Sequence, residues 1–228
     1  MTIRPAFQTV KSAALMSAVP AVALANRELA GSVDMMGAPM SFARNSEIYG
    51  EGEPSEYIYK VVSGAVRTYK VLADGRRQIG AFYLPGDIFG LESSDSHMFS
   101  AEAVGDAKVL VVKRSSLMAQ AQRDGDLTRQ LWNATSRELS RMQDHILLLI
   151  KTAEERVIDF LLEMAKRGRS GNRVALPMSR QDIADYLGLT IETVSRTMTH
   201  LESTAAIELP NARTVVLRNP TALSRLAA

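Results

Sequence analysis

PMSRQDIADYLGLTIETVSRTMTHLES, residues 177–203, has the layout of two short helices joined by a tight turn. Ser179 stands where a helix N-cap belongs, and Asp182, three residues on, supplies the reciprocal half of a capping box. Ile183, Ala184 and Leu187 then share one face at helical spacing, Gly188 lets the backbone turn, and Leu189 plugs the angle. Thr190 caps a second helix, in which Val194, Met198 and Leu201 point inward. That leaves Ile191, Glu192, Ser195 and Arg196 near its exposed N-terminal end. Two short helices joined in this way make a helix-turn-helix, whose second helix presents its N-terminal residues to the DNA major groove. Arginine matches guanine bidentately, glutamate accepts from cytosine N4, and serine can serve either role. The positive end of the helix also favours nearby phosphates.

Working outward, 206–209 and 214–217 flank Pro210-Asn211 as a hairpin, so the motif reads as a winged helix. On the N-terminal side, a helix over about 153–167 carries Val157, Phe160, Leu161, Met164 and Ala165 on one face, with Gly168 as its C-cap and a short strand over 174–176. Before it, Asp124-Gly125-Asp126 punctuates the start of a long helix. Along that helix Leu131, Thr135, Leu139, Met142, Ile146, Leu149 and Ala153 recur at spacings of 4, 4, 3, 4, 3 and 4. Such a stripe also suits a helix packed only on its own domain. The length, and the apolar flank at 147–150, favour two partners: the preceding domain and a symmetry mate. Leu131, Leu139, Met142, Ile146 and Leu149 are the expected dimer interface.

Residues 41–112 have a different character. Glycine-containing breaks recur roughly every 11 residues, and strand-like runs lie between them at 57–62, 65–71, 78–83 and 108–112. That is the signature of a small antiparallel sandwich or barrel, with Asp74-Gly75 as a two-residue hairpin signal. Ser115 or Ser116 should cap a short helix through Gln122. The expected fold class is therefore α+β: an antiparallel sandwich or barrel over 37–122, a dimerisation helix over 123–151 and a winged helix-turn-helix over 152–228.

Composition is that of an ordinary soluble chain, with 228 residues, 46% apolar residues and a net charge of +2. The whole-molecule charge does not announce nucleic acid. Between Lys166 and Arg196, however, six bases face three acids, a mild bias in favour of phosphate. Cysteine is absent, which excludes disulfides, thiolate zinc and cysteine-bound iron–sulfur clusters within this chain. No stretch suits a membrane span, and a cytoplasmic protein is the default expectation. Arg4, Lys11 and the apolar run 13–25 resemble a secretory signal, but Pro20 argues against a regular helix there. We expect 1–36 to be a mobile N-terminal extension.

Three groups of residues together resemble the CRP/FNR superfamily of bacterial transcription regulators over about 41–217. They are Leu84-Pro85-Gly86-Asp87-Ile88-Phe89-Gly90, then Ile146-Leu147-Leu148-Leu149 with Ala153-Glu154-Glu155-Arg156, and then residues 180–196. Glu192-x-x-Ser195-Arg196 resembles the FNR-like branch, and its surroundings look most like the FixK group. The resemblance implies that residues 37–122 form an antiparallel β-roll (jelly-roll-like, sensor-type), and that the protein is a homodimer on double-stranded DNA, reading a palindrome of the type TTGAT-N4-ATCAA. Arg196 would take the guanine, Glu192 the partner edge, Ser195 a thymine, and Ile191 an apolar contact. Ser179, Arg180, Gln181, Thr190 and Thr193 would meet phosphates. It further implies contact with RNA polymerase, with the Asp74–Gly80 loop among the patches, and control of low-oxygen respiration and nitrogen fixation.

The departures matter as much. Cyclic-AMP binders place an arginine where this chain reads Phe99-Ser100-Ala101, and burying a phosphate there without a cation is costly. No cofactor and no obligatory cyclic nucleotide is therefore expected. The alternative is a small ligand in the β-roll. His97, the only histidine of the β-roll, reads as an exposed loop residue. A cupin-like metal enzyme is disfavoured, since His97, His145 and His200 fall in three different regions. Some FixK-group proteins carry a cysteine at the place of Ser179, where oxidation would put charge beside phosphate.

Overall fold

The computed structural model describes residues 36–168 and 171–226, so the expected extension at 1–36 lies outside the described residues but for Met36. Eight strands form the first body: Ala38–Phe42 (β1), Glu47–Tyr49 (β2), Tyr57–Ser63 (β3), Val66–Val71 (β4), Arg77–Tyr83 (β5), Ile88–Phe89 (β6), Ser100–Ala103 (β7) and Ala107–Lys113 (β8). They pair antiparallel into two four-stranded sheets, ordered β1-β8-β3-β6 and β2-β7-β4-β5. Tyr49, Tyr59, Tyr83 and Phe89 pack between them with Val61, Val66 and Val109. The Tyr59–Phe89 and Tyr83–Phe89 ring centroids are both 5.0 Å apart. This aromatic filling suits a small roll, because a few large side chains span the gap between the sheets.

The four strands read from the sequence are β3, β4, β5 and β8. The other four escape it because they are short or unpatterned; every residue of β1 but the last is exposed. The Asp74-Gly75 turn is present, but its hairpin is longer than a two-residue loop. Val71 pairs with Arg77, Leu72 N–H donates to Arg76 O at 2.8 Å, and Gly75 takes φ +82°. Residues 77–80 belong to β5, with Ile79 fully buried, so the exposed turn ends at Arg76.

Helix α1 (Arg114–Ala121) starts one residue before the expected serine cap and has no side-chain cap. Arg114 instead donates to the carbonyls of Gly90 and Glu92 and is anchored to the roll. Helix α2 (Gly125–Leu149) begins as expected, with the Asp124 carboxylate accepting from Asp126 and Leu127 N–H. Helix α3 (Ala153–Gly168) and the short strand β9 (Arg173–Ala175) lead to α4 (Arg180–Leu187) and α5 (Ile191–Ser203). The hairpin β10 (Ile207–Asn211) and β11 (Thr214–Leu217) completes a sheet ordered β10-β11-β9. A final helix, α6 (Pro220–Leu226), seats Leu223 in the core and was not foreseen.

The largest apolar cluster is continuous between the two bodies: Ala65, Ile79, Phe82 and Val104 of the roll join Phe160, Ile183, Leu187 and Val194 of the winged helix. Phe82 lies 5.3 Å from the Tyr186 ring and 6.3 Å from Phe160. Burial of this kind fixes the helix-turn-helix against the roll rather than leaving it on a tether.

Candidate nucleic-acid interface

Ser179 is a full capping box. Its Oγ accepts from Asp182 N–H at 3.1 Å, and Ser179 N–H and Oγ–H donate to Asp182 Oδ2 at 2.9 and 2.7 Å. Ile183, Ala184 and Leu187 are fully buried, and Gly188 takes φ +63° as the left-handed C-cap. Leu187 O, one of the carbonyls α4 leaves open, accepts from Arg156 Nη1 at 2.9 Å, while Arg156 Nε reaches Lys151 O. The connector arginine thus staples the turn of the motif to the end of the long helix. Thr190 caps α5 through Thr193 N–H, and Val194, Met198 and Leu201 are buried as expected.

The opposite face of α5 is open. Ile191, Glu192, Ser195 and Arg196 are exposed, and the side chains of the last three make no hydrogen bond or ion pair within the described chain. A glutamate, a serine and an arginine near a helix N-terminus, all unspent, offer three distinct hydrogen-bonding characters to a partner.

The phosphate candidates divide. Both donors of Ser179 are spent on Asp182, and phosphate accepts without donating, so Ser179 holds the helix rather than the ligand. Arg180 is different: its Nη1 is buried without a partner, and desolvation by its surroundings lowers its pKa, opposed by the charge of Glu202. Such a guanidinium wants an anion. Gln181 Nε2 is exposed and donates to Asp185 at 2.6 Å; the Thr190 and Thr193 hydroxyls share one bond at 3.0 Å, leaving one proton between them free.

The seam candidates divide as well. Leu139, Met142 and Ile146 are exposed on α2, at 57%, 53% and 64%. Leu131 instead packs inward beside Leu127 and Ala134, on the cluster that includes Leu117 and Ala121 of α1, and Leu149 is half-buried near Gly188. Trp132, 73% exposed, has no place in the stripe that begins at Leu131. Placing it in register gives 132, 135, 139, 142 and 146, a strict 3-4-3-4 repeat that the 4-4-3 start from Leu131 obscures.

His97 corrects an expectation. It is 2% exposed, its ring stacks on Tyr49 at 3.6 Å, and Nδ1 meets Glu92 Oε1 at 2.5 Å. A carboxylate and an aromatic face make burial of a loop histidine affordable, which spacing alone does not reveal. Among the described residues no group of three histidine or acidic side chains could hold a metal ion, and no helix is long and apolar enough to cross a membrane.

Between the roll and α2 lies a cavity of about 540 Å³, walled by Tyr83, Phe89, Phe99, Leu139 and Met142 among others. Phe99 lies close over Gly80, where an added Cβ would meet its ring at 3.1 Å. The cations lining the cavity are already neutralised: Arg167 by Asp87 and Glu163, and Arg141 by Glu138.

A jelly-roll-like domain followed by a long helix and a winged helix-turn-helix with an open recognition face defines a DNA-binding transcription regulator. Residues 155–226 match the Crp-like helix-turn-helix domain and residues 39–124 the cyclic nucleotide-binding domain. The nitrogen fixation regulation protein FixK of Azorhizobium caulinodans is 54% identical over 200 residues, covering 85% of this chain and 81% of that protein. FixK of Rhizobium meliloti is 41% identical, over 83% and 90%. The solved structure of FixK2 from Bradyrhizobium japonicum superposes with a TM-score of 0.82 at 54% identity, covering 85% of this chain and 98% of that one. The chain belongs to the CRP/FNR family of transcription regulators and matches its FixK proteins closely.

Proposed function

We propose that this regulator binds a TTGAT-N4-ATCAA-type palindrome as a homodimer and activates low-oxygen-responsive genes, without requiring a cyclic nucleotide. The observation that carries this reading is the unspent triplet Glu192, Ser195 and Arg196 on the exposed N-terminal face of α5. Arg196 takes the guanine bidentately, Glu192 the cytosine edge opposite, and Ser195 with Ile191 the neighbouring thymine. Arg180, Gln181, Thr190 and Thr193 meet phosphates; the unpartnered Nη1 of Arg180 supports its part. Two reading heads come together through the exposed 132-139-142-146 stripe of α2, which buries against the same stripe of a second copy. RNA polymerase meets an exposed surface of the roll, the Asp74–Arg76 turn being one candidate.

Independence of cyclic nucleotide is supported by the aromatic ring of Phe99 at the cavity and by the neutralised state of Arg141 and Arg167. A second reading is favoured by the cavity itself. Its volume lies within the range of small-molecule pockets, so an apolar ligand could occupy it.

A titration of metal-free, nucleotide-free protein on the palindromic duplex across salt tests both. Tight binding that weakens steeply with salt is expected. A requirement for added cyclic AMP would overturn the ligand-free reading, and a requirement for a cell-extract small molecule would favour the second.

A further inference from the structure

The β-roll reaches the reading head through two arginines. Arg67, the second residue of β4 and 6% exposed, donates from Nη1 to Asp182 Oδ1 at 3.0 Å; its Nη2 holds Glu102 at 2.8 Å and Asn45 at 3.2 Å. Arg77, at the start of β5, donates from Nη2 to the same Asp182 oxygen at 2.7 Å and from Nε to Asp185 Oδ2 at 2.8 Å. Next to it, Gln78 Nε2 donates to Tyr186 O at 3.2 Å. The other oxygen of Asp182 is the one that closes the capping box with Ser179. One buried carboxylate therefore makes two bonds to the roll and two to the first turn of α4, and its acceptor capacity is saturated.

This is more than the packing of two bodies requires. Apolar contacts between them, such as Phe82 on Tyr186, can slide by fractions of an ångström, whereas a carboxylate shared between two guanidinium groups fixes direction as well as distance. Residue 182 lies more than 100 positions from either arginine, so the contact is tertiary by construction. Asp182 opens the helix that sets the angle of α5, so a shift at the latch is a shift of the recognition face.

We infer that Arg67 and Arg77 are positioning residues for DNA recognition, acting through Asp182 to fix the orientation of each reading head on its β-roll and hence the half-site spacing the dimer accepts. Neither side chain touches DNA. This rests on the palindrome reading above, since a spacing preference has meaning only for a two-headed binder. In a dimer whose rolls are joined through α2, head-to-head separation is defined only if each head is rigid on its own roll.

The test compares full-length wild type with Arg77→Gln, Arg77→Lys and Arg67→Gln on three duplexes that differ only in a four-, five- or three-base-pair spacer. Arg77 is a quarter exposed and Asp182 keeps Arg67 and Ser179 without it, so Arg77→Gln is the variant that folds if Arg67→Gln does not. We expect wild type to prefer the four-base-pair spacer and Arg77→Gln to lose about five-fold or more of that preference, a modest coupling between distant sites. Arg77→Lys should recover part of it by keeping a cation at Asp182. The guanine preference of a single half-site should not change. A uniform loss of affinity on all three duplexes, with the ratio intact, would mean less folded protein rather than a looser head and overturns the inference. So does an unchanged ratio. Failure of wild type to bind the palindrome or to discriminate spacers would instead strike the functional reading beneath it.

Discussion

Helices α4 and α5 belong to one motif and are treated in opposite ways. Along α4 the polar groups other than Arg180 are committed: Ser179 and Asp182 to each other, Asp182 and Asp185 to the roll, Tyr186 O to Gln78 and Leu187 O to Arg156. Along the outer face of α5, Glu192, Ser195 and Arg196 are committed to nothing. On the proposed function, the difference separates holding from reading. A side chain that positions is satisfied inside the fold, where leaving it unpaired is expensive. A side chain that recognises is exposed, so water satisfies it until DNA does.

The contrast is broken most severely by removing the reader. Arg196→Ala should cost about 1–3 kcal/mol per half-site, felt twice on a palindrome, and relax the guanine preference while leaving the melting temperature unchanged. Binding isotherms on wild-type and guanine-substituted duplexes measure it.

Next comes the α2 stripe proposed as the dimer seam. Met142→Asp should weaken self-association by about 2 kcal/mol or more, because a charge would be buried at the centre of an apolar interface. Sedimentation equilibrium reads the change. If the stripe is the seam, Trp132 fluorescence in wild type should shift to the blue with rising protein concentration, Trp132 being the chain's only tryptophan.

Smaller and sharper is the comparison between Ser179 and Arg180. Ser179→Ala should destabilise the fold by about 1 kcal/mol through loss of the cap, without altering the salt dependence of DNA binding. Arg180→Ala should leave stability nearly intact and reduce the slope of log affinity against log salt by about 1. A changed slope for Ser179→Ala would return it to the phosphate set.

The smallest effect concerns acid. Burial raises the Asp182 pKa, but the hydrogen bonds from Ser179 and the charges of Arg67 and Arg77 outweigh it and hold the carboxyl below its ordinary value. A depressed carboxyl stabilises the folded state fully above its unfolded pKa near 3.9, and that contribution fades as pH falls through the lower folded value. Denaturant unfolding followed from about pH 6 down to about pH 3 should show this loss. Asp182→Asn, weaker at neutral pH, should show a flatter acid limb.

Much of this was legible because it is local. The capping box, the Gly188 turn and the inward Val194, Met198 and Leu201 all follow from spacings of three to four residues, which a helix converts directly into contacts. Four strands of the roll were legible for the same reason, while β1, β2, β6 and β7 carry too little pattern of their own. The first residue of the exposed stripe is ambiguous in the sequence because Leu131 and Trp132 are adjacent and both apolar. Only burial tells which of them the roll claims.

Local spacing alone specifies a helix-turn-helix with Glu192, Ser195 and Arg196 on its open face, after a long apolar-striped helix and an antiparallel β domain. What the tertiary structure decided is where the remaining polar side chains are spent. It buries His97 between Tyr49 and Glu92, closes Ser179 on Asp182, and brings Arg67 and Arg77 across more than 100 residues to the same carboxylate. Helical periodicity is written in neighbouring residues. The pairing of a buried charge is decided by whichever chain segment folding delivers to it, and no local pattern encodes that.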